Sequence, residues 1–527
     1  ILPWLLSACL LGLSYPSFGP AMPNGVLAWF AFVPILLNLR KLPSFKNLLV
    51  LSLLFNLLFL YIDTWWLGYF SVSKSALVII SQVPLLSFPW IGYYFIHKKN
   101  GWLTALLSFP FLWTLSDGLH HFMPHGMQIY LLPYTQSHNI WLIQFIDTFG
   151  MYAISFWLCS MNVLIVLFLR KKSLKRSLFK LVWLALPLFY SFWSMSINPK
   201  RVTGLGNTKT NVSIIQTNQI ATLERDANSF QNTIDELVLL CDSAVKTNQP
   251  DLLVLPEASV PFNLLQDSNL LKITRELVNA WQTSLAIGFQ NNPDKSKPYE
   301  FENNAMIFTP QLAMLWDSLK IKAEDVKVYQ KEHGLPFVEI NPFFKKRPTL
   351  ANQRLISNKQ VYNFEYQNFD NEPFKTGLTI CWEQLFPEKL AALANNGAQF
   401  LVVMNNDSWF GKSPGPRQLR AITRLRAIEN RRTVVRSSNG GISCFIDPFG
   451  KIYGEVDWFI STISTSEVVC IKKKSFYTKH PHWFPIFILI SFFSFITAIS
   501  FLKKNSQKQE TTRQGRVVCL GVQQNHN

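Results

Sequence analysis

A glutamate, a lysine and a cysteine stand in three separated segments: Leu255-Pro256-Glu257-Ala258-Ser259, Tyr329-Gln330-Lys331-Glu332-His333 and Thr379-Ile380-Cys381-Trp382-Glu383. Cys381 closes the apolar run Gly377-Leu378-Thr379-Ile380, and Glu257 comes directly after Leu252-Leu253-Val254-Leu255-Pro256. Both runs read as buried strands, which predicts that base and thiol meet at strand ends in one site. A cysteine attacks as its thiolate, which a nearby base or cation must provide. Glu257 can take the thiol proton and later activate an attacking amine, while Lys331 can stabilise the oxyanion of a tetrahedral intermediate. The three together suit acyl transfer through a thioester. Taken singly, a loop Glu or Lys is usually a solvated charge and a Cys after an apolar run is usually core.

The elements that must position them alternate between strand and helix. Strands are predicted at 212–216, 252–255, 285–289, 304–308, 377–380, 400–404, 433–436 and 442–446, the last closed by a turn at Asp447-Pro448-Phe449-Gly450. Helical spacing marks 226–246, with Ile234, Leu237 and Leu240 on one face, then 270–282 and a basic helix at 417–431. This is the pattern of an α/β layered domain.

That domain is only part of a chain of 527 residues. Long apolar stretches precede Asn198 and come after His480. Stretches at 1–18, 23–39, 48–70, 76–96, 102–117, 140–169, 181–197 and 483–502 approach the about 20 residues a bilayer crossing needs. The stretch at 140–169 exceeds one untilted crossing, so part of it is expected at the interface. The first stretch lacks the basic start and small-residue cleavage site of a signal peptide. The predicted organisation is a membrane domain at 1–197 with about seven transmembrane helices, a catalytic domain at 198–482, a C-terminal span at 483–502 and a polar cytoplasmic tail at 503–527, expected to be disordered after Lys504.

A net charge of +18 raises nucleic acid as a partner, but the placement of the charge speaks for a membrane. Arg40, Lys41 and Lys46, then Lys98 and Lys99, then Arg170, Lys171, Lys172, Lys175 and Arg176, then Lys503 and Lys504 flank apolar stretches. With those clusters on the cytoplasmic side, the loops alternate and 198–482 falls outside. In a bacterium with two membranes that is the periplasmic face of the inner membrane. Trp65, Trp66 and Tyr69 are candidate interfacial anchors at the outer end of a span. Arg417, Arg420, Arg424, Arg426, Arg431 and Arg432 either meet phospholipid phosphates or form internal ion pairs.

None of the seven cysteines forms a CxxC pair, so no zinc site is indicated. Cys381 reads as a free thiol, Cys241 and Cys444 as small buried hydrophobes. His120, His121 and His125 cluster without a partnering carboxylate motif, which is not a metal signature.

The Glu257, Lys331 and Cys381 segments resemble the nitrilase superfamily, whose members use such a triad in an αββα sandwich. Within it, the chain is most similar to the membrane-bound branch, the apolipoprotein N-acyltransferase family. The likeness runs through Phe145-Ile146-Asp147, Gly150-Met151-Tyr152 and Ser155-Phe156, the 331–339 block, Cys381-Trp382-Glu383, Asn406-Asp407-Ser408-Trp409-Phe410-Gly411 and the last span. The resemblance implies Glu257 as general base, Lys331 as oxyanion cation and Cys381 as nucleophile. It implies supporting roles for Glu339, Glu383, Asn303 and Trp382, and places Trp409 and Phe410 close to lipid or substrate. No cofactor, metal or nucleic acid is implied. The implied reaction moves an acyl chain from a membrane phospholipid, phosphatidylethanolamine by expectation, to Cys381. The chain then passes to the amine of an S-diacylglyceryl-cysteine on a lipoprotein.

The chain departs from the family block after the lysine: Glu332 adds a carboxylate beside Lys331, and Val338 replaces a glycine. Leu223-Glu224-Arg225 stands in place of a basic-aromatic pair, and Ser116-Asp117-Gly118-Leu119-His120 in place of an acidic-Trp-x-Arg pattern. These changes bear on substrate preference. Two other readings of the sequence stay open. One is a membrane-tethered nitrilase-type amidase, a carbon-nitrogen hydrolase that passes the acyl group to water. The other is a silent homologue that binds lipid as a scaffold.

Overall fold

The structure is a computed structural model. It describes residues 1–17, 24–69, 71–123, 126–170, 182, 185–197, 199–200, 208–219, 227–260, 264–291, 300–318, 326–336, 338–340, 352–353, 363–368 and 372–523. His125, the basic run at 171–176, Leu223-Glu224-Arg225 and Phe337 lie outside the described residues.

The first part is helical: α1 (Leu2–Gly12), α2 (Val33–Asn38), α3 (Phe45–Thr64), α4 (Val72–Asn100), α5 (Trp102–Phe122), α6 (Ile140–Ile143), α7 (Ile146–Phe149) and α8 (Tyr152–Arg170). Among the described residues, Phe45–Tyr69, Val72–Asn100, Tyr152–Arg170 and Trp483–Asn505 are long and apolar enough to cross a bilayer. The stretch at 140–169 is broken rather than continuous. Gly150, at φ +75°, ends α7 in the left-handed region, and a Cβ there would come within 2.6 Å of the Tyr477 ring. Glycine fits both demands, and the bilayer-length α8 starts two residues later.

The second part is the expected αββα sandwich. One sheet runs β13 (Thr462–Val469), β1 (Lys209–Gln216), β2 (Leu252–Val254), β3 (Ser284–Asn291), β4 (Glu300–Phe308), β5 (Tyr329–Gln330), with β6 (Asn352–Gln353) also on β4. The other runs β12 (Ile452–Tyr453), β11 (Cys444–Ile446), β10 (Val434–Asn439), β9 (Phe400–Asn406), β8 (Pro373–Ile380), β7 (Asn363–Gln367). Strand alternation builds the layers. Phe400, Val402 and Met404 face the core shared by the two sheets, while Leu401 and Val403 face Leu390, Leu393 and Ala427 of the covering helices. Those helices are α12 (Pro387–Asn395) and α13 (Gly415–Asn430). On the first sheet the cover is α9 (Ala227–Asn248), which buries Leu237, Cys241 and Ala244 at helical spacing, and α10 (Ser268–Trp281). Asp267 caps α10, accepting from the Asn269 and Leu270 amides at 3.0 Å each. A shorter α11 (Pro310–Ser318) comes after β4, and α14 (Phe476–Lys479) leads to the last helix.

That helix, α15 (Trp483–Gln523), does not stop at the end of its apolar segment. The polar composition predicts a disordered tail after Lys504. Instead the helix propagates through Lys, Gln, Glu and Arg, good helix formers that extend an existing helix at little cost.

Helix α13 fastens the sandwich to the helical part and resolves the two readings of the arginines. Arg426 pairs with Glu429 at 2.8 Å, both fully buried, and Glu429 accepts the Met151 amide at 2.9 Å. Arg431, just beyond α13, reaches Asp147 at 2.8 Å, and Arg424 donates to the Ser137 carbonyl at 2.9 Å. Arg420 pairs with Glu455 at 2.5 Å, and Arg432 donates to the Ala398 carbonyl at 2.6 Å. Arg417 lies over the Trp458 ring at 4.7 Å. These are internal contacts rather than a phosphate-binding face. Trp66 is likewise turned inward: its Nε1 donates to Gln418 at 3.1 Å, whereas Trp65 and Tyr69 are exposed. His120 is buried with Nδ1 at 2.8 Å from the Ser116 carbonyl, and His121 lies 3.5 Å from Glu388. Among the described residues, no cluster of three His, Cys, Asp or Glu side chains forms a metal site.

Candidate active site

Glu257 leaves the first sheet just past β2. The Leu255 amide still bonds to the Ala286 carbonyl at 2.9 Å, and the Glu257 amide then turns to the Asn405 carbonyl of the other sheet at 3.3 Å. Ala258 takes φ +49°, which completes the turn. Gly288 of β3 lies under it. A Cβ there would stand 2.7 Å from the Pro256 carbonyl oxygen and 3.0 Å from the Ala258 nitrogen, both backbone atoms that cannot swing aside. Gly288→Ala is therefore expected to displace Glu257 and to lower turnover about 100-fold, the scale of a misplacement near 1 Å. Steady-state kinetics beside a melting curve would check it, and unchanged turnover would show that the turn yields freely.

Lys331 comes directly after β5, and its amide donates to the Asn303 carbonyl at 2.8 Å. Its ammonium is fully buried between two carboxylates, 3.0 Å from Glu257 Oε1 and 2.8 Å from Glu339 Oε1. Asn303 Nδ2 also donates to Glu257 Oε1, at 2.6 Å. Glu339 is held from behind by the Leu335 amide, which donates to its Oε2 at 2.6 Å.

Cys381, at the end of β8, has φ +50°, a left-handed conformation that costs a non-glycine residue about 1–2 kcal/mol. Two neighbours hold it there. Glu383 Oε2 accepts the Ile380 amide at 2.9 Å, and Gln384 Nε2 donates at 2.8 Å to both the Cys381 carbonyl and Asn405 Oδ1. The chain then coils into a short turn, Cys381–Leu385. The Glu257 and Lys331 charges both act on the Cys381 thiol, in opposite senses.

The electrostatics arise from burial and from these neighbours. Burial and the Glu257 charge push the Cys381 thiol well above its usual range, against the pull of Lys331. Burial also raises Glu257, with Lys331 opposing and Glu339 adding to the rise. Burial alone would lower Lys331, yet Glu257 and Glu339 together raise it well above an ordinary lysine. These directions favour a neutral Cys381 thiol and a charged Lys331 at rest, with the Glu257 carboxyl group 3.0 Å from that ammonium. Such an arrangement can pass a thiol proton to Glu257 and place a developing negative charge next to Lys331.

The structure thus gathers Glu257, Lys331, Cys381, Glu339 and Asn303 at one point. Glu383 lies behind the thiol turn, fully buried. Trp382 and Phe410 are not open to solvent: both join the apolar core of the helical part, with Phe410 edge-on to Trp66 at 5.0 Å between ring centres. Trp409 is half-buried beside it. Four contributors carried no sequence signal. Asn405 lies inside an apolar strand, Gln384 and Lys389 are common residue types, and Tyr329 reads as strand core. Their parts emerge only when β5, β8 and β9 are brought together.

Residues 211–470 match the carbon-nitrogen hydrolase family, and residues 7–164 match the apolipoprotein N-acyltransferase N-terminal domain. The chain is 29% identical to an apolipoprotein N-acyltransferase of Chlorobaculum tepidum, over 91% of this chain and 93% of that one. It is 27% identical to one of Geobacter metallireducens, over 96% of each. Among solved structures it is similar to Saccharomyces cerevisiae Nit3, a member of branch 10 of the nitrilase superfamily. That match has 19% identity and a TM-score of 0.37, over 50% of this chain and 91% of that one.

Proposed function

The chain belongs to the apolipoprotein N-acyltransferase family, and from that premise we propose that it acylates lipoproteins through a thioester on Cys381. It is a membrane acyltransferase with a lipid donor and a lipoprotein acceptor. The donor we propose is phosphatidylethanolamine. Residues 1–197 and 483–502 form the membrane part, and 198–482 the catalytic part, on the periplasmic side of a bacterial inner membrane. The basic clusters beside the apolar stretches support that orientation.

The observation that carries the mechanism is the Lys331 ammonium shared between Glu257 and Glu339, with the charges of Glu257 and Lys331 both acting on the Cys381 thiol. In the first half, Glu257 takes the thiol proton and the sulfur attacks the ester carbonyl of the phospholipid. The oxyanion forms beside Lys331. The ester C–O bond breaks, Glu257 returns the proton to the departing oxygen, and a lysophospholipid leaves. In the second half, the amine of the diacylglyceryl-cysteine attacks the thioester while Glu257 accepts its proton. The C–S bond breaks, the amide forms, and the proton returns to sulfur. No water enters the balance, and both substrates are bilayer amphiphiles, which gives the membrane helices their purpose.

Intact-protein mass spectrometry after mixing with phosphatidylethanolamine tests this reading. The expected result is a gain of one acyl mass that hydroxylamine removes and a diacylated lipopeptide amine collects. Loss of the acyl group to water at the same rate with or without lipopeptide would favour an amidase. No mass gain from any phospholipid would sink the thioester reading.

A further inference from the structure

We propose that Lys389 is a positioning residue for this chemistry, locking the Lys331 segment against the Cys381 turn through the carboxylates of Glu383 and Glu332. The inference rests on the reading that Cys381 is the acylated residue.

The lock centres on Glu383, whose carboxylate is fully buried. Its Oε2 accepts the Ile380 amide at 2.9 Å and the Tyr329 hydroxyl. Its Oε1 accepts the Glu332 amide at 2.8 Å and the His333 amide at 3.3 Å. One side chain therefore ties the residue before the thiol to residues on both sides of Lys331. An isolated buried carboxylate carries a large desolvation cost unless a cation accompanies it. Lys389, in the first turn of α12, supplies that cation at 3.1 Å.

The same ammonium makes two further contacts, both on the Lys331 segment. It reaches Glu332 at 2.6 Å and lies 5.0 Å above the Tyr329 ring. Every one of these contacts falls on Glu383 or on residues within two of Lys331. Lys389 is only 12% exposed, so it is not one of the solvated surface pairs that contribute little. Glu332, the carboxylate by which the sequence departs from the family block, is thereby given a partner: the departure and Lys389 form one pair.

The arrangement has a pH signature. Burial pushes the Glu383 carboxyl up, but the Lys389 ammonium and the donors from His333 and Tyr329 hold it well below the usual carboxylate range. The titratable groups facing Glu383 are Lys389, Tyr329 and His333, with Glu332 reached through Lys389. Without Lys389 the carboxyl binds its proton at higher pH. A protonated Glu383 has lost one acceptor position, and the lock loosens as pH falls.

The test is the rate of acyl uptake by Cys381 from phosphatidylethanolamine, followed by intact mass across pH in the full-length protein. Lys389→Met is expected to slow uptake about 100-fold, with KM for the lipid unchanged and the deficit widening as pH falls. Lys389→Arg keeps a cation able to span two carboxylates, and it is expected to recover most of the rate. Uptake by Lys389→Met at the wild-type rate would overturn the proposal. So would a deficit equal at every pH and matched by a lower melting temperature, which is the mark of a fold defect alone. A wild-type protein that takes up no acyl group would remove the thioester reading and this inference with it, an outcome distinct from the other two.

Discussion

Cys381→Ala is expected to abolish acyl uptake and to lower transfer to a lipopeptide amine by at least about 10⁴-fold, the scale of losing a nucleophile from a preorganised site. Cys381 carries the thiol on which the Glu257 and Lys331 charges act, and its left-handed backbone is held by Glu383 and Gln384 whatever the side chain. Alanine tolerates that backbone as well as cysteine does, so the variant should fold and keep the Glu257–Lys331 contact. Cys381→Ser separates nucleophile from mere bulk. Its hydroxyl is a far weaker acid than a thiol, and any acyl group it gained would sit in an oxygen ester that amines attack slowly. The expected result is slow or absent uptake and no turnover. Intact mass and lipopeptide acylation, measured on the same preparations, check both variants. Transfer by Cys381→Ala above a hundredth of the wild-type rate would mean that the acyl group never passes through Cys381.

The ends of the two apolar runs were legible because a fully buried strand needs little more than a short hydrophobic run with a polar residue at its end. Leu252–Val254 and the last five residues of Pro373–Ile380 are buried in this way, and Glu257 and Cys381 lie just beyond them. The layering was legible from a different signal, since α9 and α10 repeat their buried residues at helical spacing. The hidden part depends on which elements meet. The arginines of α13 look like a phosphate-binding stripe until Asp147, Ser137 and Met151 of the helical part are set against them. Trp66 looks like an interfacial anchor until Gln418 offers its indole an acceptor. The break inside 140–169 rests on Gly150, whose role is fixed by Tyr477 more than three hundred residues away. Lys389 belongs to the same class: it has no motif, and only the fold brings Glu332 and Glu383 to it.

Lys331→Met should show how far the site depends on one cation, in two separable ways. The ammonium lies 3.0 Å from Glu257 and 2.8 Å from Glu339, so its removal leaves two carboxylates facing each other in a buried space. Breaking a buried pair from one side costs about 3–5 kcal/mol, and the pH dependence identifies the cause. Glu257 already binds its proton above the ordinary carboxylate range, because burial and Glu339 outweigh Lys331. Loss of Lys331 raises it further. A group whose folded pKa exceeds its unfolded value stabilises the fold at low pH, and that stability is lost as pH rises through the folded pKa. The deficit in melting temperature should therefore be small near the carboxylate range, about pH 4, and grow toward neutrality. A deficit that did not change with pH would point to lost packing rather than to unpaired charge. The catalytic effect is separate. Measured toward neutrality, where Glu257 can act as a base, on protein shown to be folded at the assay temperature, the missing oxyanion partner should reduce acyl uptake by about 10²–10³-fold. Uptake within tenfold of wild type would assign the oxyanion to another donor and leave Lys331 as a structural counter-charge between Glu257 and Glu339.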